Sequence, residues 1–199
     1  MDGRLRILVC AMTLALGVSD ACAQEQQGSP ASEGCNFAGL SWGSSPSAVR
    51  TTLEREGYVY ERTDDEGDLV FRGTSVGYPA IVYAMMADRH LVKTDVILLP
   101  PSTRVRAVYG TMKETLAAKY GAGESIEFVR PPFHEGDGYE EQALREEKAR
   151  MLTHWTRGSD ELLMHVAPVS DSLVVSIAYE SANWETESKA RRAKATKLY

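Results

Sequence analysis

Apolar residues recur along this chain at two periods, and the change from one to the other divides it into segments. Two stretches carry the three-and-four spacing of a helix with one buried face. In the first, Val49 and Leu53 follow Ser44-Ser45-Pro46, a capping serine with proline at the first helical position, and Gly57 supplies the stop. In the second, Val105, Val108, Tyr109, Met112, Leu116 and Tyr120 share a face, with Ser102 or Thr103 as the expected cap and Gly121 at the end.

After each helix the period shortens to two. Alternating, β-branched runs occupy 58–63, 68–75, 80–87 and 91–99 after the first helix, and 124–129, 151–157, 161–167 and 172–180 after the second. The interval 130–149 interrupts the second set with a turn-rich loop and a short acidic helix. The chain therefore reads as a helix plus four strands, twice, with pseudo-repeats at 37–99 and 102–181 of a single domain, 37–181. This predicts an α+β fold: an antiparallel sheet with helices on one face and the other face open.

The termini read differently. Residues 1–23 have the form of a signal peptide: Arg4 and Arg6, an apolar run from Ile7 to Val18 too short to span a bilayer, and Ala21-Cys22-Ala23 as a small-x-small cleavage site. An alternative is lipidation of Cys22, although Ser19-Asp20 stand where a lipoprotein signal has leucine and a small residue. The expected location is periplasmic or extracellular, with no transmembrane segment. Residues 24–36 are polar and read as a disordered leader, and the basic segment 182–199 reads as a solvated, frayed tail. Cys10 and Cys22 leave with the signal, so Cys35 remains as a lone thiol and the core must provide stability without a disulfide.

Charge narrows the function. A formal net charge of −6 leaves no basic footprint for nucleic acid. Gly39-Leu40-Ser41-Trp42-Gly43 lacks the spacing of a phosphate loop, so Trp42 reads as a core anchor closing the end of the sheet. His134-Glu135-Gly136-Asp137 places an imidazole and two carboxylates together, but matches neither zinc-finger nor EF-hand spacing and reads chiefly as a turn.

His154 and His165 form a second constellation. If Gly158-Ser159 makes a two-residue hairpin turn, His154 lies opposite Leu163 and His165 opposite Leu152. Both imidazoles then project from the open face, as solvated side chains or as part of a binding surface. No serine stands in a nucleophile elbow, Cys35 has no setting that would activate it, and the glutamates Glu140, Glu141, Glu146 and Glu147 read as a solvated helix face.

The stretch Gly39–Tyr58, with its Trp-Gly-x-Ser start before a short helix, resembles the opening of many small exported bacterial proteins. The helix ending Lys119-Tyr120-Gly121, followed later by His154-Trp155-Thr156, resembles their second half. These features are similar to those of the β-lactamase-inhibitor-protein-like group, which includes small outer-membrane assembly lipoproteins. The resemblance implies a binding or assembly protein, and its motifs are packing signatures that specify no activity. The insertion at 130–149 departs from the pattern.

The expected function is thus a non-enzymatic exported domain, without cofactor or bound metal, that engages a protein or envelope partner through Tyr83, Met85, Lys93, Asp95, His154, Leu163 and His165. Two alternatives stand beside it. One is a metal-dependent hydrolase using His134, Asp137, His154 and His165; the other is a carrier of a small molecule or lipid held between helices and sheet.

Overall fold

The structure, a computed structural model, describes residues 34–196. The signal segment 1–23, with its Cys22 alternative, and the leader up to residue 33 lie outside the described residues. Two four-stranded meanders build one antiparallel sheet. Helix α1 (Pro46–Arg55) precedes β1 (Val59–Thr63), β2 (Leu69–Ser75), β3 (Tyr78–Ala87) and β4 (His90–Leu98). Helix α2 (Val105–Tyr120) precedes β5 (Glu124–Val129), β6 (Ala149–Arg157), β7 (Asp160–Val169) and β8 (Ser172–Glu180). Helix α3 (Glu140–Arg145) interrupts the second meander and α4 (Trp184–Thr196) follows it.

The strand order is β1-β2-β3-β4-β8-β7-β6-β5, so the last strands of the two repeats pair in the middle of the sheet. Each repeat alone would leave an apolar strand edge at its fourth strand. Joining the two edges satisfies both rows of backbone groups and makes one continuous core. The α+β reading, with two helix-plus-four-strand units and one open face, is the observed architecture.

Helical spacing becomes burial directly. Val49 and Leu53 of α1 are buried, as are all six apolar positions expected on α2. Each such side chain contributes about 1.5–3 kcal/mol of transfer free energy, an upper bound because the unfolded chain already buries some of it. Ser45 caps α1 by accepting from the Ala48 N–H at 3.4 Å, with Pro46 in the first turn. The start of α2 differs from expectation. Neither Ser102 nor Thr103 caps it; a 3₁₀ turn, Ser102–Arg104, leads into the helix, so backbone bonds replace the side-chain cap.

On the sheet's covered face, Phe71, Val82, Val96, Ile177, Met164 and Thr153 follow one another from β2 to β6, all buried. Tyr109 of α2 reaches down to the Thr153 hydroxyl at 2.6 Å, and Trp155 donates to the Gly121 carbonyl at 2.9 Å. The second bond joins the end of α2 to the strand beneath it.

Two terminal expectations need correction. The leader was expected to run to residue 36, yet Cys35 is wholly buried in the core and the Tyr120 hydroxyl donates to the Asn36 carbonyl at 3.0 Å. A small apolar thiol packed into the core beside Tyr179 orders the chain two residues before Phe37. The basic tail is also not frayed: residues 184–196 form α4, which runs across one end of the sheet. Its hold is electrostatic. Arg191 reaches Glu66, Asp68 and the Met86 carbonyl, a set too distant in sequence for local patterning to reveal.

Candidate functional site: the open sheet face

Gly158-Ser159 forms the expected two-residue turn, pairing Arg157 with Asp160. This register puts His154 opposite Leu163 and His165 opposite Leu152, as the hairpin predicts. Because side chains alternate along every strand, pairing then carries the same face across the whole sheet. Tyr83 pairs with Asp95, Asp95 with Ala178, Ala178 with Leu163, and Leu163 with His154. A second row runs Ile81, Ile97, Ser176, His165, Leu152 and Ile126. Met85 and Lys93 pair beside the first row, and Lys93 pairs with Glu180.

All seven expected contact residues therefore share the face opposite α1 and α2. Each is half-buried, shaded chiefly by its sheet neighbours, with Trp184 of α4 also standing over Lys93. The surface is a mosaic of aliphatic and aromatic side chains around a polar centre.

That centre is Asp95. The Ser176 hydroxyl, diagonal to it on β8, donates to Asp95 Oδ1 at 2.9 Å. Burial pushes the Asp95 carboxyl above its ordinary value, against the opposing pull of Lys93 and the Ser176 hydrogen bond. Lys93 is itself held by Glu180 at 2.8 Å and stands 4.7 Å from the Trp184 ring centroid. His165 stands opposite Ser176. Burial pushes its imidazole below the ordinary histidine value, and its Nδ1 is covered and has no hydrogen-bond partner among the described residues. His154 stands 3.7 Å from Glu161 across the hairpin.

Asp95, Ser176 and His165 are the three residue types of a catalytic triad, but their connections are not those of one. The serine donates to the aspartate, and His165 takes no proton from it. Sequence patterning missed Ser176 because it lies in β8, where seven successive residues, Leu173–Tyr179, are buried and mostly apolar. Only the β4–β8 register brings it to Asp95.

His134 and Asp137 do not join this surface. Their loop lies between β5 and α3, where Asp137 accepts from the His134 N–H at 2.7 Å and the Tyr139 N–H at 2.8 Å. Those bonds hold its carboxyl below the usual range and identify it as a turn-closing side chain. Among the described residues, no group of three or more His, Cys, Asp or Glu side chains is placed to hold a metal ion. The four residues of the hydrolase alternative are thus not gathered into one donor set.

At the α4 end the face continues into a cleft of about 580 Å³, bordered by Lys93, Glu161, Glu180, Trp184 and Arg192. A smaller cavity of about 90 Å³ lies between α2, α3 and β5–β6, next to Arg106, Glu127, Leu144 and Met151. It falls well short of the roughly 300–1,000 Å³ of drug-sized ligand pockets. Among the described residues no helix is long and apolar enough to cross a membrane. No family model, curated protein or solved structure matches the chain.

Proposed function

We propose that this chain is an exported, non-enzymatic binding or assembly domain that engages a protein partner at the cell envelope through its open sheet face. The observation that carries the reading is the convergence of Tyr83, Met85, Lys93, Asp95, His154, Leu163 and His165 on one face, opposite α1 and α2 and met by α4 only at its Lys93 end. Large half-buried side chains around a polar centre suit docking, since they lose little conformational freedom when a partner covers them. The export half of the proposal rests on the amino-terminal signal pattern in residues 1–23.

The test is site-directed photocrosslinking in the native envelope. A photoreactive residue at Leu163 or Tyr83 should give one discrete adduct, and the same residue at Thr111 on α2 should not. Substituting His154, Leu163 and His165 together should remove the adduct formed from Tyr83. Unchanged crosslinking in that triple variant would end the assignment of this surface.

A further inference from the structure

We infer that the centre of the open face receives a basic side chain, an arginine or lysine presented by an extended segment of the partner protein, with Asp95 as its counter-ion. The inference rests on the docking role proposed above and specifies its chemistry.

The Asp95 carboxylate has no cation in an ion pair with it among the described residues. A carboxylate drawn among Tyr83, Ile97 and Ala178 is costly unless a cation or several donors compensate it. Ser176 supplies one hydrogen bond. The nearest cation, Lys93, is committed to Glu180 and to the Trp184 ring. The imidazole of His165 is held neutral by its burial, so it does not serve as counter-ion. Negative charge is thus left over at the face centre, on Asp95, while Lys93 and Glu180 compensate each other beside it.

Shape agrees with charge. The neighbours of Asp95 on β8 are Ser176 and Ala178, two of the smallest side chains, so no bulky group covers the carboxylate from that side. Tyr83 on one flank and Leu163 beyond Ala178 on the other would line the stem of a long basic side chain. Such side chains bury their methylenes against apolar surface while the head finds its partner. A basic segment is also what a chain of net charge −6 attracts at long range.

The test selects displayed random twelve-residue peptides on the purified protein and on Asp95→Asn, which keeps the side-chain shape. Amide chemical shifts then locate each selected peptide. Peptides selected on the wild-type protein should share a basic position and shift the amides of Leu163, Ser176 and Ala178. Their affinity should fall by about tenfold or more with Asp95→Asn, and equally when the peptide's basic residue becomes Gln. Peptides that bind the same face with no basic preference would overturn this inference and leave the docking face standing. Failure to obtain any face-directed peptide would overturn both. A dimer abolished by Leu163→Arg would place a second copy on the face and reject the basic segment.

Discussion

Arg191 and Asp68 are 123 positions apart and meet in a two-pronged ion pair: Nη1 donates to Asp68 Oδ2, and Nη2 donates to Oδ1 at 2.9 Å. The Asp68 side chain is 5% exposed and that of Arg191 15%, so the pair is nearly removed from water. Asp68 also accepts from the Met86 N–H at 2.8 Å, while Arg191 donates to the Met86 carbonyl at 2.7 Å. One guanidinium thereby holds α4 to the β2–β3 end of the sheet. Removing one member of such a pair leaves the other buried and unmatched. Arg191→Ala should therefore destabilise the protein by about 3–5 kcal/mol and detach α4. Urea unfolding measures the first effect, and accelerated amide exchange in α4 with slow exchange kept in β3 and β4 measures the second. Uniform acceleration throughout the sheet would show that α4 belongs to the cooperative core.

The same pair shows where the sequence was readable and where it was not. Helical spacing at Val105 to Tyr120 and alternation in the strands are local, and each was visible because burial imposes a period on neighbouring residues. The His154–Leu163 register was equally visible, because a two-residue turn leaves a single pairing. In α4 the apolar positions are few, so no period marks a buried face. Its docking depends on a charge far away in the chain, and charged side chains normally read as solvated. Asp95 was legible as a face residue from strand alternation, but its link to Ser176 depended on a β4–β8 pairing that only the joined repeats create.

Trp42 occupies a comparable long-range position. Its indole N–H donates to Asp160 Oδ2 at 2.8 Å, across 118 residues, while Gly43 N–H donates to the Leu91 carbonyl at 2.9 Å. The amino-terminal segment is thus sewn to the starts of β4 and β7. Trp42→Phe keeps most of the apolar ring and removes the donor from a buried carboxylate. The expected loss is about 1.5–3 kcal/mol, the range for hydrogen bonds to charged groups. Asp160→Asn in the same background should restore part of it, because a neutral amide suffers less from the missing donor. A Trp42→Phe variant as stable as the wild type in urea would mean that water replaces the indole at no cost.

Cys35 should be chemically silent in the folded protein. Burial pushes its thiol from the ordinary 9.0 up to about 11, and the Asp160 carboxylate acts in the same direction. At about pH 8 this leaves roughly a hundredfold less thiolate than an ordinary thiol would have, and the sulfur is also shielded from reagent. Iodoacetamide should modify the protein in urea and leave it unmodified under native conditions, as mass spectrometry can follow. Rapid native labelling would show that the segment around Cys35 opens far more often than the core against which it packs.

The acid side of the stability curve should carry opposite contributions from His165 and Asp95. Burial holds the folded-state pKa of His165 below the ordinary 6.5, so as pH falls past that value the unfolded chain takes up a proton that the folded chain refuses. Stability contributed by neutral His165 is therefore lost on acidification through that window, with Lys93 and Arg150 nearby reinforcing the refusal. Asp95 behaves in reverse. Burial raises its folded-state pKa above 3.8, so the folded chain protonates first and gains relative stability as pH falls towards that value. Urea midpoints measured from neutral pH down to about pH 4 should separate the two. His165→Gln should flatten the decline just below pH 6.5, while Asp95→Asn should raise stability at neutral pH and remove the recovery nearer pH 4. Identical profiles for His165→Gln and the wild type would show that His165 is solvated on the open face and free to take up its proton.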